Sequence, residues 1–247
     1  MLSRIVLTLV CLFCRALALL AKAGLADARV LYVGESGAQL YGLESENEPD
    51  FVGIFVAPLR NVLGFARNRV ARVDADGSVI SMVNCRSVSH GRGMVLFELT
   101  HFAALFAGGN HRFMEQLYLK VERRFECGWW KEICLNLDLF LGKQAIEHYF
   151  GCLKGLMNQR GRAKLAERFL HACQVIICEN RWPVEGLRDA DRARINEMDA
   201  NQTLSDLFHR RVEELEAAKK AHPLRNTTPG RDFVAEHCMK LRKLQSF

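Results

Sequence analysis

Apolar and polar positions fall into two textures along the 247-residue chain. Up to about Leu99, short apolar runs alternate with polar, glycine-containing stretches, the pattern of strands and turns. Four strands are predicted: ARVLYVG (28–34), DFVGIFVAP (50–58, stopped by Pro58), GSVISMVNC (77–85) and GMVLFEL (93–99). Beyond Leu99 the apolar positions recur at helical spacing. LTHFAALFAGG predicts a helix ended by Gly108 and Gly109, and long helical patterns follow over 131–159 and 162–179. Pro183 breaks that run, and Ser205 is placed to cap a charged amphipathic helix reaching about Ala221. Strands early and helices late predict an α+β protein: an α/β head on a small mixed sheet over residues 1–110, then a helical domain with a basic tail over 111–247.

Residues 5–26 are apolar apart from Thr8, Arg15, Lys22 and Gly24, with no acid before Asp27. Arg15 in the middle is expensive for a membrane span and stands where a signal peptide would need small residues. Two readings stay open. One is a first helix that packs on the core and stops near Gly24; the other is a targeting segment, so the compartment is left as cytoplasmic or mitochondrial.

Composition narrows the classes. The chain is 49% hydrophobic and 25% charged, which excludes disordered, collagenous and many-pass membrane proteins. Its formal charge of +6 permits a phosphate-bearing partner without requiring one. Positive residues gather near the end: Lys219, Lys220, Arg225, Arg231, Lys240, Arg242 and Lys243 against Asp232 and Glu236, either a solvated surface or an RNA contact. Nine scattered cysteines read as reduced thiols, with Cys11, Cys134, Cys173 and Cys178 in apolar stretches. Neither the Cys11–Cys14 pair nor His171 with Cys173 and Cys178 completes a zinc motif, so no zinc site is expected. His148 and His171 read as packed helix histidines.

The candidate chemistry lies between Gly34 and Pro58. A strand runs into a glycine turn, a short AQLYGL segment follows, and Glu48 and Asp50 then lead into the next strand. Acids two apart on a strand point the same way, so these two carboxylates could share one hard divalent cation such as magnesium or manganese. The glycine turn would let backbone N–H groups approach a phosphate. A solvated acidic loop is the plain alternative.

VGESGAQLYGLESENEPDFVGIFVAPL resembles the signature of the DNA-polymerase-beta superfamily of nucleotidyltransferases, in particular the RNA-repair-associated RlaP-like family. Gly37, Leu40, Tyr41 and Gly42 match its first part; Asp50, Gly53, Phe55 and Val56 match its second. Phe97 to Tyr118 resembles the helix and Gly-Asn turn that follow, with Glu115 at a glutamate position, and the likeness extends over about 28–183. It implies a nucleotidyltransferase head and two-metal transfer of a nucleotide from a nucleoside triphosphate to an acceptor, with RNA a candidate. Glu48 and Asp50 would be the catalytic, metal-holding acids; Gly37, Ala38, Tyr41 and Gly42 would bind the nucleotide.

Three departures accompany the matches. Ala38 replaces a phosphate-binding serine, a loss of about 1 kcal/mol. Glu48 replaces an aspartate. The third carboxylate aligns near Gly93, leaving Glu98 as the substitute candidate and Asp74 and Asp76 as weaker ones. A catalytically degenerate nucleotide- or RNA-binding relative, or a structural subunit of a ribonucleoprotein assembly, is therefore the alternative function.

Overall fold

A computed structural model describes residues 2–37, 40, 51–63, 69–73, 79–83, 86–90, 93–117, 119, 124–181, 193, 195–198, 204–223 and 228–244. Helix α1 (Leu2–Lys22) leads into β1 (Arg29–Glu35) and β2 (Phe51–Val56). After a short α2 (Leu59–Leu63) come β3 (Arg69–Val73), β4 (Val79–Val83), β5 (Ser87–His90) and β6 (Met94–Glu98). The chain then turns helical with α3 (Leu99–Ala107) and α4 (His111–Gln116), returns to the sheet as β7 (Arg124–Glu126), and continues through α5 (Gly128–Cys134). Helices α6 (Lys143–Met157), α7 (Ala163–Glu179), α8 (Asp206–Ala221) and α9 (Thr228–Leu244) complete the described elements. The protein is α+β, a mixed sheet backed by helices.

The seven strands stand in the order β3-β4-β5-β6-β2-β1-β7. Only the central β2–β6 pair is parallel, with Phe51 opposite Met94 and Phe55 opposite Glu98; the others are antiparallel. Both faces of β1 and β2 are covered, which explains their unbroken apolar runs. Val52, Ile54 and Val56 face the helical bundle; Phe55 and Ala57 face α1. A bulge between Val30 and Tyr32 inserts Leu31, so Leu31 and Tyr32 both join the bundle side while Val30 and Val33 pack toward α1.

Helix α1 packs on the sheet through Leu12, Ala16, Leu19 and Leu20, an i, i+4, i+7, i+8 stripe. Gly24 at φ +80° stops it: the Gly24 and Leu25 N–H groups return to the Ala21 and Leu20 carbonyls at 3.0 and 2.8 Å. Among the described residues no helix is long and apolar enough to cross a membrane. Ser205 caps α8 as expected, its Oγ accepting from the Phe208 N–H at 3.2 Å.

Other expectations need correction. The helix predicted over 131–159 is split into α5, a 3-10 turn at Leu137–Leu139, and α6. The C-terminal tail is the helix α9, whose Val234 and Cys238 are buried in the main core. Of the cysteines in apolar stretches, where burial is expected, Cys173 is buried, Cys134 is half-buried, and Cys11 and Cys178 are exposed; all described cysteines are free thiols.

Candidate functional site

Three segments meet at the edge where β1 ends and β2 begins. Glu35 of β1 pairs with Phe51 of β2, and the Phe51 N–H donates to the Gly93 carbonyl at 3.1 Å, just before β6. Past Glu35, Ser36 is buried and Gly37 adopts φ +75°, the left-handed conformation a glycine takes without cost. A tight turn and the start of β2, the residue after Asp50, therefore share one end of the sheet.

Packing behind this end is tight. The Tyr32 hydroxyl donates to Gln116 Oε1 at 2.8 Å, and its ring lies 4.2 Å from that of Trp130. Burial holds the Tyr32 phenol well above its ordinary pKa, so it acts as a neutral donor. A β-carbon at Gly34 would strike both partners of that hydrogen bond, and one at Gly53 would sit 2.7 Å from the Tyr32 carbonyl oxygen. The glycines of both strands thus permit close packing beneath the edge.

Of the sequence-predicted site residues, Glu48, Asp50, Ala38, Tyr41 and Gly42 lie outside the described residues, as do Asp74 and Asp76. Gly37 is at the edge. Glu98 is not: it stands opposite Phe55, four residues along β6 from Met94, about 13 Å at the rise of a strand. Its carboxylate is buried and engaged. One oxygen accepts from the Thr100 N–H at 2.8 Å, capping α3, and the other takes an ion pair from Arg242 of α9. Arg242 also donates to the Ala57 carbonyl at 2.7 Å.

Position 93, where the family resemblance looks for the third acid, does sit beside Phe51, but it is a glycine. The acid that strand pairing brings to this end is Glu35, which sequence reasoning passed over; only the β1–β2 register reveals it. Glu115, the other resemblance position, is buried in α4 with Arg168 of α7 at 3.7 Å. Among the basic residues near the C-terminus, Lys219 pairs with Glu147 at 2.5 Å and half-buried Arg242 pairs with Glu98, whereas Lys220, Arg231, Lys240 and Lys243 are exposed and Arg225 lies outside the described residues.

A family model described as RlaP, the RNA repair pathway DNA polymerase beta family, matches residues 14–226. No curated protein and no solved structure matches the chain significantly.

Proposed function

The chain belongs to the RNA repair pathway DNA polymerase beta family, and from that premise we propose that it transfers a nucleotide from a nucleoside triphosphate to an acceptor hydroxyl, RNA being the favoured acceptor. The observation that carries this reading is the shared edge: the left-handed turn at Gly37 lies two residues past Glu35, which pairs with Phe51, the residue that follows Asp50.

Glu48 and Asp50 offer carboxylate oxygens, the donor type that hard divalent cations take, so magnesium or manganese fits this donor set. When bound, such ions neutralise the triphosphate and activate the acceptor oxygen for in-line attack at the α-phosphorus. The chain's own part is to hold those carboxylates and to present backbone N–H groups around Gly37 to phosphate oxygens. Tyr32, Gln116 and Trp130 brace the strand that carries the turn. Glu98 acts at a distance in this scheme: it ties β6 to α3 and α9 and holds no metal. Among the described residues near the C-terminus, Lys220, Arg231, Lys240 and Lys243 are exposed cations that can contact an RNA backbone.

A second reading, a binding-only relative, is favoured by one specific feature. A glycine stands at the third acid's place and the nearest acid along β6 is sequestered. One experiment separates the two. The protein is incubated with magnesium or manganese, labelled nucleoside triphosphates and mixed RNA, beside a Glu48→Ala/Asp50→Ala double variant. Label transferred by the native chain alone supports the enzyme. Nucleotide-induced thermal stabilisation without transfer supports the binding-only relative. No response to any nucleotide rejects both.

A further inference from the structure

Away from the sheet edge, the helical half holds a second cluster of chemistry-bearing side chains. The turn between α3 and α4 is drawn close to α6 by Gly109, which has φ +73° and whose added β-carbon would lie 2.7 Å from the Ala145 backbone. Asn110 then caps α4, its side-chain oxygen accepting from the Arg112 N–H at 3.1 Å, so His111 is the helix's first residue. On α6, His148 and Cys152 are one turn apart and share a face. The close approach at Gly109 brings His111 onto that face.

The result is a triangle of ligand atoms. His111 Nδ1 lies 3.1 Å from His148 Nε2, and Cys152 Sγ lies 3.8 and 3.6 Å from those two nitrogens. Zinc–nitrogen bonds of about 2.0–2.1 Å and a zinc–sulfur bond of about 2.3 Å at tetrahedral angles give separations of about 3.3 Å (N to N) and about 3.6 Å (N to S). The observed triangle is within a few tenths of an ångström of those values. An ordinary histidine–histidine hydrogen bond explains the first distance but not why the thiol sits at near-equal range of both rings. Among the described residues, no other trio of His, Cys, Asp or Glu side chains converges this closely.

We propose that His111, His148 and Cys152 form a zinc site, distinct from the acidic edge and its magnesium chemistry. Two imidazoles and a thiolate are the borderline-soft donors that zinc selects over magnesium or calcium. The three residues are each partly exposed, so a solvent molecule can complete the tetrahedron. Zinc takes histidine as the neutral ring and cysteine as the thiolate, a donor state these three side chains can supply together. Coordination of Cys152 as the thiolate releases its proton to solvent. The Glu115–Arg168 ion pair offsets part of the positive charge around the site.

The test uses the full chain, freed of any affinity tag and stripped of metal. Zinc is titrated against a chromophoric chelator, and cobalt(II) replaces zinc for spectroscopy. One tight zinc per chain is expected, with a thiolate-to-cobalt charge-transfer band. Cys152→Ser and His148→Ala each weaken binding by at least about tenfold, and Cys152→Ser abolishes the band, while Cys11→Ser/Cys14→Ser changes neither. Should those variants not fold, the native chain answers alone: stoichiometric zinc must shield Cys152 from alkylation, read by mass spectrometry. Absence of stoichiometric zinc, persistence of the band in Cys152→Ser, or unshielded Cys152 overturns the proposal.

Discussion

Replacing Arg242 by alanine removes two donors at once: Nη1 from the Ala57 carbonyl at 2.7 Å and Nη2 from Glu98 Oε1. Glu98 is 1% exposed, so the orphaned carboxylate cannot turn to water. Removing one partner of a buried pair costs about 3–5 kcal/mol, because the survivor stays charged and dry. Two features moderate the loss. The Arg242 side chain retains 17% exposure, and the Thr100 N–H still holds the other Glu98 oxygen at 2.8 Å. The lower end, about 3 kcal/mol, is therefore expected. Urea unfolding followed by circular dichroism measures it. Glu98→Gln added to Arg242→Ala removes the stranded charge and should recover at least about 1 kcal/mol. An exposed pair would be worth less than about 1 kcal/mol with no such recovery. A loss that small, or additive effects of the two substitutions, would refute the pairing of Arg242 with buried Glu98 and return it to the solvated tail.

Gly53→Ala places a β-carbon 2.6 Å from Leu96 Cδ2 and 2.7 Å from the Tyr32 carbonyl oxygen. Leucine can shift but the neighbouring strand cannot, so a loss of about 1–3 kcal/mol is expected in thermal melts; an unchanged midpoint contradicts the packing. Ser205→Ala deletes the α8 cap and should cost about 1 kcal/mol in the same assay. Native-state alkylation followed by mass spectrometry should modify Cys11, Cys14 and Cys178 first and Cys173 and Cys238 last, and the reverse order would contradict their burial. Burial, with Glu98 close by, pushes the Cys238 thiol up to about 12. Folded, that thiol holds its proton more tightly than unfolded, so its contribution is intact below about pH 8.5 and fades as pH rises toward 12. Cys238→Ala should flatten that alkaline limb of the stability profile.

Strands buried on both faces announce themselves. The runs 28–34 and 50–58 match the bounds of β1 and β2 to within two residues at each end, because neither face has to be polar. Short strands do not. Ser87–His90 and Arg124–Glu126 carry little apolar pattern of their own; they are strands because β6 and β1 offer them unpaired backbone. The final helix was hidden for a different reason. Its charged positions dominate the composition, while Val234, Cys238 and Leu241, spaced i, i+4, i+7, form the stripe that packs on the core.

Legibility of the candidate sites divides along the same line between local and long-range determinants. The residue types of the proposed acidic pair are visible in one stretch of chain, whereas the place of any third acid depends on register. In the parallel β2–β6 pair Phe51 stands opposite Met94, so an acid at 93 would lie at the edge and one at 98 is about 16 Å along the strand. That exceeds the span of about 4 Å between the ions of a two-metal site. Nearness in sequence therefore favoured Glu98 for a place at the opposite end of its strand. Likewise His148 and Cys152 form a recognisable i, i+4 pair, but their partner His111 is 37 residues upstream and meets them only because Gly109 lets two backbones touch. In both cases the proposed grouping depends on a backbone contact between glycine and a neighbouring element, and glycine carries no side-chain pattern from which such a contact can be read.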